Sequence, residues 1–223
     1  MQHLGQILIS LFVIAFLALS SLAVGRAPST SLQPGETADP HITPEERAAV
    51  VKLLVDTRKQ FLDSIQDLTD EQWNFRPGPF KWTIGQISEH IVLAEAKMFS
   101  LVTRAVETPP NPDWETKTAG KTALLNRVMP STAYGKAKAP YEIQPMGKLS
   151  KAEVIQRYNE VRDQTLQFAE QTQIPLKEHT FDHPFPAFST LNAYQWLINI
   201  GLHNERHDAQ IAAVKDAPGY PKN

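Results

Sequence analysis

The sequence predicts an all-α protein whose folded part is a four-helix bundle, and two observations carry this prediction. First, the 17 prolines fall in clusters that leave four long proline-free windows, residues 45–76, 80–108, 146–174 and 187–217. Proline interrupts a helix because it lacks the N–H and clashes with the preceding turn, so each window can hold one long helix. Second, apolar residues recur at helical spacing in every window, whereas no comparable alternation of period two indicates strands.

The composition limits the classes of function open to the chain. Its 223 residues carry 22 Lys and Arg against 24 Asp and Glu, a formal net charge of -2, so we expect no nucleic-acid partner. There are no cysteines, which excludes disulfides, zinc–thiolate sites, a thiol nucleophile and a lipoprotein-type lipid anchor. The length suits one domain with a buried core.

Residues 1–25 are expected to be an export segment rather than part of the fold. Leu4 to Val24 is almost wholly apolar or small, and small residues precede Arg26, as a signal peptidase requires. No Lys or Arg precedes this run, and the run is long enough to act as an uncleaved membrane anchor. We therefore expect an exported protein, periplasmic or extracellular after cleavage, or else one held at the membrane only through residues 1–25. Residues 26–42 are expected to be a flexible linker and residues 43–217 the bundle.

Each window begins with a residue suited to cap a helix. Thr43, Thr83 and Thr190 can act as N-caps in the first, second and fourth windows. The third window opens with Ser150-Lys151-Ala152-Glu153, a capping-box pattern. Between the second and third windows lies a long link, from about Thr108 to Leu149, in which a short helix is expected around Thr122–Val128. Links of this length are usually functional lids or disordered segments, and both interpretations stay open.

Three of the 7 histidines lie on the inward stripes: His90 in the second window, and His203 with His207 in the fourth. His203 and His207 are four residues apart, so both rings stand on one helix face and can reach one ion. His90 could add a third ligand from a neighbouring helix, and three neutral imidazoles leave positions open for water or substrate. The alternative is three core histidines bonded to backbone or carboxylate groups. A second pair at this spacing, His179 and His183, lies in a proline-interrupted segment and is interpreted as accidental.

The chain resembles the DinB-like four-helix-bundle superfamily in segments 68–77 (LTDEQWNFRP), 81–90 (KWTIGQISEH) and 203–211 (HNERHDAQI). The segments together are fairly specific, and the resemblance covers about residues 43–215. The resemblance implies a bundle that binds a divalent metal in a cleft through His90, His203 and His207. Zinc and nickel are the metals expected first, and manganese and iron are further candidates. Related bundles often form dimers, so a homodimer is a further expectation.

The resemblance does not predict which reaction the protein catalyses. Characterised relatives include bacillithiol S-transferases, a mycothiol-dependent maleylpyruvate isomerase and hydrolase-like proteins. Reduced small thiols are abundant in the cytosol, so an exported protein would meet little of the thiol that such a transferase needs. Hydrolysis is compatible with export because its nucleophile is water. We therefore expect an exported metal-dependent hydrolase acting on an unknown small molecule. The alternatives are a non-catalytic metal- or ligand-binding bundle and a thiol-dependent S-transferase.

Four further side chains are candidates for the pocket or for the surroundings of the metal. Gln86 and Asn199 each lie one turn before a candidate ligand and could orient water or substrate. Core amides bonded to backbone are the commoner alternative for both. Trp82 and Trp196 could wall the pocket, or equally be core aromatics at the ends of the bundle.

The mechanistic hypothesis is an ion that lowers the pKa of a bound water and polarises a carbonyl or ester oxygen of the substrate. Glu89 and Asp208 are adjacent to candidate ligands and could accept hydrogen bonds from their ring N–H groups. No general base is evident, since Glu205 is expected to point away from the histidine face.

Overall fold

The computed structural model describes residues 38–131 and 138–222. The predicted export segment and residues 26–37 of the predicted linker lie outside the described residues. From Ala38 onward the chain forms one compact unit. Pro40 and Ile42 belong to it: the Pro40 carbonyl accepts a hydrogen bond from Lys177 N, and the Ile42 side chain is buried. Within the described part, no helix is both long and apolar enough to span a bilayer.

The described residues form a mainly helical fold in which four long helices make a bundle. The α-helices are α1 (Pro44–Ile65), α2 (Asp70–Asn74), α3 (Ile84–Val106), α4 (Trp114–Thr118), α5 (Lys121–Val128), α6 (Lys151–Gln171) and α7 (Ala193–Lys215). A 3-10 helix spans Tyr141–Ile143, and strands β1 (Thr180–Asp182) and β2 (Thr190–Asn192) pair antiparallel. Helices α1 and α3 each pack against both α6 and α7. The sequence thus predicted the bundle correctly, but the expectation of an all-α chain missed the two-stranded ladder.

Capping boxes begin the first three bundle helices where the sequence predicted. Thr43, Thr83 and Ser150 each accept a hydrogen bond from the backbone N–H three residues on, and the side chain at that position bonds back to the cap's N–H. This reciprocal pair satisfies two backbone donors that a helix start otherwise leaves without partners. The short helix expected in the link is also confirmed, as α5.

The predicted cap of α7 was wrong. Thr190 lies in β2, where its hydroxyl donates to Asp182 Oδ1 at 2.7 Å. The helix starts later, and Asn192 caps it in a box with Gln195. The ladder holds Thr190 in an extended conformation, so the chain can turn into a helix only after the last paired residue.

The directions of neighbouring helices explain the long link. Helices α1 and α7 run parallel, since Tyr194 near the start of α7 donates to the Glu46 carbonyl near the start of α1. Helices α1 and α6 run antiparallel, since Arg47 at the start of α1 donates to the Ala169 carbonyl at the end of α6. Helix α3 is antiparallel to α7. Since α6 is also antiparallel to α7, α3 and α6 are parallel neighbours. The chain between them must therefore return along about 30 Å of bundle, and it carries α4, α5 and the 3-10 helix on the way.

Two apolar clusters fill the bundle, and a buried polar network lies where they meet. One cluster contains Leu54 and Trp196, and the other contains Phe61 and Tyr158. Arg162 contacts both, because its guanidinium donates to the Leu54 carbonyl and lies over the Tyr158 ring. This arginine is fully buried, so its hydrogen bonds must all be made within the protein.

Candidate metal centre

His90 lies in the first third of α3, and His203 and His207 face it from the central turns of α7. The ring of His90 packs against both other rings. Two turns further along α3, Met98 contacts Asn199, which lies one turn before His203 on α7. The two helices are therefore antiparallel, and the spacing of four residues in α7 aims both of its histidines at α3.

The three rings form a tight triangle. Ring centroids are 5.2 Å apart for His90 and His203, 4.6 Å for His90 and His207, and 4.5 Å for His203 and His207. One nitrogen from each ring lies within 4.8 Å of the other two. The structure thus brings together the three histidines that the sequence singled out.

Oxygen atoms outside the triangle hold the Nδ1 protons of two of the rings. His90 Nδ1 lies 2.7 Å from the carbonyl oxygen of Ile143, and His207 Nδ1 lies 2.9 Å from Oε1 of Gln210. Since these oxygens can only accept, each ring donates from Nδ1 and keeps the lone pair of a neutral imidazole on Nε2. Such partners orient a metal-binding histidine and fix its tautomer.

The donor set fits a divalent transition metal. The Nε2 atoms of His203 and His207 are 3.2 Å apart, and two imidazole nitrogens on one tetrahedral zinc ion would be about 3.3 Å apart. Without a cation or proton between them, two lone pairs at this distance would repel. In the described part, no carboxylate or fourth imidazole joins the group, so an ion held here would keep positions for water or substrate.

Burial keeps all three rings neutral, which is the form that binds metals. Burial lowers the pKa of His90, and the Ile143 carbonyl only partly opposes it. Burial, followed by the nearby His207 and His90, lowers the pKa of His203 well below its usual value. The pKa of His207 falls to about 3, again chiefly through burial. Protons therefore do not compete for the Nε2 atoms at neutral pH.

The three histidines differ in surface exposure. The His90 and His207 side chains are only 3% and 8% exposed, whereas His203 is half-buried. Trp82 lies beside His90 with a ring-centroid distance of 5.1 Å.

Gln86 and Glu89 bond to backbone rather than to the histidines. Gln86 is half-buried, and its Oε1 accepts from Thr83 N at 3.2 Å and completes the capping box of α3. Glu89 Oε2 accepts from Gly147 N at 2.6 Å. That bond attaches the segment between α5 and α6 to α3, four residues after Ile143, whose carbonyl contacts His90.

Asn199 and Trp196 lie on the α7 face that meets the ladder. Asn199 is fully buried, and its Nδ2 lies 3.2 Å from Met98 Sδ and 3.5 Å from His183 Nε2. Trp196 stacks on His183 at a centroid distance of 4.9 Å and donates from Nε1 to the Phe181 carbonyl. Both residues therefore adjoin a fourth histidine, on the segment between β1 and β2.

The hydrogen bond of Asp208 goes to a neighbouring amide and not to a ligand ring. Its Oδ2 accepts from Asn204 Nδ2 at 3.0 Å. Burial raises the pKa of Asp208 to about 8, against the opposing effect of Arg162. Glu205 on the same helix is half-buried.

Comparison with known proteins decides the family. The family model described as the DinB superfamily matches residues 53–211. This chain belongs to the DinB superfamily. The resemblance found in the sequence is thereby confirmed, and the matched range includes all three histidines of the triangle.

Two Bacillus subtilis proteins are similar to this DinB superfamily chain. The uncharacterized protein YuaE of strain 168 is 24% identical over 163 residues, which cover 72% of this chain and 94% of YuaE. The structure of YfiT, described as a probable metal-dependent hydrolase with an unusual four-helix bundle topology, superposes with a TM-score of 0.56. That match covers 83% of this chain and 95% of YfiT at 13% identity, and so it shows a shared fold.

Sequence reasoning missed three residues around the triangle of this DinB superfamily chain. Gln210 lies three residues after His207, and that spacing on a helix could have revealed it. Ile143 acts through its backbone carbonyl, which no side-chain pattern reveals. His183 is the third, since the sequence analysis interpreted its spacing from His179 as accidental. The two rings do lie in different surroundings: His179 Nδ1 bonds to the carbonyl of residue 108, whereas His183 lies against α7.

Proposed function

We propose that this chain is a divalent-metal-dependent hydrolase of the DinB superfamily that acts on a small molecule. One observation carries the proposal: one ring nitrogen from each of His90, His203 and His207 lies within 4.8 Å of the other two, and oxygen atoms face Nδ1 of His90 and His207. Imidazole donors suit zinc and nickel, with manganese and iron as further candidates. The description of YfiT as a probable metal-dependent hydrolase supports the proposal.

The surrounding residues prepare the three imidazoles for this role. When bound, a divalent ion supplies Lewis acidity to a substrate oxygen and lowers the pKa of a water ligand. The Ile143 carbonyl and the Gln210 amide hold protons at Nδ1 of His90 and His207, so neither ring can rotate without losing a hydrogen bond. Trp82 covers one side of the His90 ring.

The number of protein ligands favours an enzyme over a structural metal site. Structural zinc sites are closed by four protein ligands, whereas catalytic sites have three and an open position. The described residues offer three imidazoles at this point, and the most accessible of them is His203. A small substrate would therefore approach from the His203 side of the triangle.

We further propose that the domain works outside the cytoplasm. Support comes from the apolar run of residues 4–24 and the small residues that end it. Hydrolysis suits that location because its nucleophile is water. Sequencing the N-terminus of the protein purified from its native host tests this: a mature chain beginning at Arg26 supports cleavage. A cytosolic protein that retains residues 1–25 would contradict export and would favour the thiol-dependent S-transferase over the hydrolase.

Metal content is the first experiment. The full-length protein and the His207→Ala variant are purified and analysed for transition metals by plasma mass spectrometry. We expect about one equivalent of zinc or nickel in the wild type and its loss in the variant, since two imidazoles bind far more weakly than three. His41→Ala is the matched control, because His41 is exposed and bonds only to Asp39 among the described residues.

The outcomes separate the candidate functions. A wild type that stays empty after incubation with zinc, nickel, manganese and iron would contradict the metalloenzyme proposal. If metal binds, the loaded protein is screened on esters and amides, with and without added small thiols. Turnover without thiol supports the hydrolase, turnover only with thiol supports an S-transferase, and metal binding without turnover supports a binding bundle.

A further inference from the structure

Residues 138–149, which we call the strap, precede α6 and are attached to α3 beside the triangle. His90 Nδ1 lies 2.7 Å from the carbonyl oxygen of Ile143. Four residues further on, Gly147 N donates to Oε2 of Glu89 at 2.6 Å. The strap is thus bonded to a candidate metal ligand and to that ligand's direct neighbour in the chain.

Few other contacts hold the strap in place. None of its residues is buried. The side chains of Ile143 and Leu149 are half-buried and pack against the two apolar clusters, whereas Tyr141 and Met146 are 80% and 62% exposed. A segment with few buried apolar contacts and exposed backbone hydrogen bonds has low local stability. The position of the strap therefore depends strongly on its two hydrogen bonds to α3.

Short-range hydrogen bonds join the centre of the strap into one local unit. Gln144 N donates to the Tyr141 carbonyl at 3.2 Å and closes the 3-10 helix. The Gln144 side chain donates to the Ala139 carbonyl at 2.8 Å. Because the Ile143 carbonyl belongs to this unit, its bond to His90 holds the whole 3-10 helix against α3.

A metal ion at the triangle would act on the strap through the His90 ring. The Ile143 carbonyl can only accept a hydrogen bond, so the ring donates from Nδ1 and leaves Nε2 for a metal. A cation on one nitrogen of an imidazole draws electron density from the ring and makes the N–H on the other nitrogen a stronger donor. Metal binding therefore strengthens the bond that holds the strap.

We propose that the strap is a metal-responsive segment, which opens and closes in the metal-free protein and is held closed when the triangle binds a divalent ion. This inference rests on the metal-binding part of the proposed function and not on the hydrolytic reaction. Coupling between two sites is reciprocal, so a change that loosens the strap lowers the affinity of the triangle for the metal.

Hydrogen exchange followed by mass spectrometry on the full-length protein tests the proposal. The metal-free and the zinc-loaded wild type are compared in peptides that cover residues 141–148. The amides of Ile143, Gln144 and Gly147 are hydrogen-bonded there. We expect zinc to slow their exchange by about fivefold or more, which is the lower end of the usual coupling between two sites.

The largely exposed loop of residues 107–114 is a control within the same protein. It follows the far end of α3, and Asn111 N donates to the Glu178 carbonyl at 2.8 Å. Exchange in this loop is expected to be the same with and without zinc. In the His207→Ala variant, added zinc is expected to leave exchange in the strap unchanged. The exposed-site control His41→Ala is expected to respond like the wild type.

Loosening the strap away from the histidines tests the reciprocal effect. Replacing Pro140 and Pro145 with glycine increases the backbone freedom of the open strap and removes no N–H donor. This double variant is expected to bind zinc about threefold more weakly, or worse, in competition with a chromogenic chelator. Pro109→Gly with Pro112→Gly makes the same change in the control loop and is expected to leave zinc affinity unchanged.

Two results would overturn the proposal. One is a zinc-loaded wild type whose strap exchanges as fast as that of the metal-free protein. The other is unchanged zinc affinity in the folded Pro140→Gly, Pro145→Gly variant. In both cases plasma mass spectrometry still shows the ion at the triangle, so the strap fails while the metal site stands. A wild type that binds no metal contradicts both proposals.

Discussion

The guanidinium of Arg162 donates to both carboxylate oxygens of Glu95, from Nε to Oε1 at 2.6 Å and from Nη2 to Oε2 at 2.7 Å. Both side chains are buried. Arg162 also donates to Thr57 Oγ1 at 2.9 Å and to Asn204 Oδ1 at 3.0 Å. Because Asn204 directly follows His203, this ion pair ties α1, α3 and α6 to the turn of α7 that carries a candidate ligand.

Breaking this ion pair is expected to destabilise the fold strongly. Glu95→Ala leaves the Arg162 guanidinium buried without its counter-charge, which typically costs about 3–5 kcal/mol. Urea unfolding of the wild type and the variant measures the difference. The matched control is Asp163→Ala, which removes an exposed partner of Arg58 and is expected to cost less than about 1 kcal/mol.

The combined replacement of both partners sharpens that prediction. Glu95→Leu with Arg162→Met removes both charges together, so this double variant is expected to unfold with a higher free energy than Glu95→Ala. If Glu95→Ala proved as stable as Asp163→Ala, the pair would not be a major constraint on the bundle.

The close approach of α1 and α7 at Gly201 is expected to reject a side chain. A Cβ on Gly201 would lie 2.6 Å from Cγ of Leu53. Gly201→Ala is therefore expected to lower the free energy of unfolding by about 1–3 kcal/mol through overpacking. In a Leu53→Ala background the same change is expected to be neutral or stabilising, because the clash is gone and Ala favours a helix over Gly.

A double-mutant cycle over Gly201→Ala and Leu53→Ala, followed by urea unfolding, measures this coupling. A cost of Gly201→Ala that is the same in both backgrounds would show that Leu53 is not what excludes the side chain.

Metal binding at the triangle is expected to stabilise the fold. An ion that binds only the native state at a free concentration of 100 times its Kd adds about 2.7 kcal/mol to the free energy of unfolding. For a chain of this size that raises Tm by about 5–10 °C. A chelator is expected to reverse the rise, and His207→Ala to abolish it, as differential scanning calorimetry can show. A similar rise in His207→Ala would place the bound metal elsewhere.

His183 is expected to make the fold sensitive to acid. Its pKa is about 4 in the fold, lowered by burial from a usual value of 6.5. Between these values the unfolded chain binds a proton that the folded chain does not. The free energy of unfolding therefore falls with decreasing pH in that window, by up to about 1.4 kcal/mol per pH unit for this group. Above pH 6.5 the contribution is fully present.

Comparison of the wild type with His183→Phe isolates this contribution from that of the other buried histidines. Urea unfolding at several pH values from 7 to about 4 is expected to give a shallower loss of stability in the variant. Parallel pH profiles for the two proteins would show that His183 takes up its proton equally well in the folded state.

The helices and their caps could largely be predicted because the interactions that form them are local. Thr43, Thr83 and Ser150 act on backbone groups three residues away, and proline is disfavoured in the interior of a helix. The cap of α7 was missed because Thr190 pairs with Asp182 in the ladder. A three-residue strand has too few alternating positions to show a period of two.

The sequence by itself determined the helical bundle, its family and the pairing of His203 with His207 on one helix face, because each depends on spacing within a few residues or on segments that stand together in the chain. The approach of His90 to that pair depended on which helices became neighbours. The Ile143 carbonyl that orients His90 lies 53 residues away along the chain, and His183 reaches Asn199 only because the ladder directs the β1–β2 segment toward α7. Such contacts were decided by the tertiary structure alone, because packing of distant segments, and not local spacing, determines which backbone oxygen or ring nitrogen faces the site.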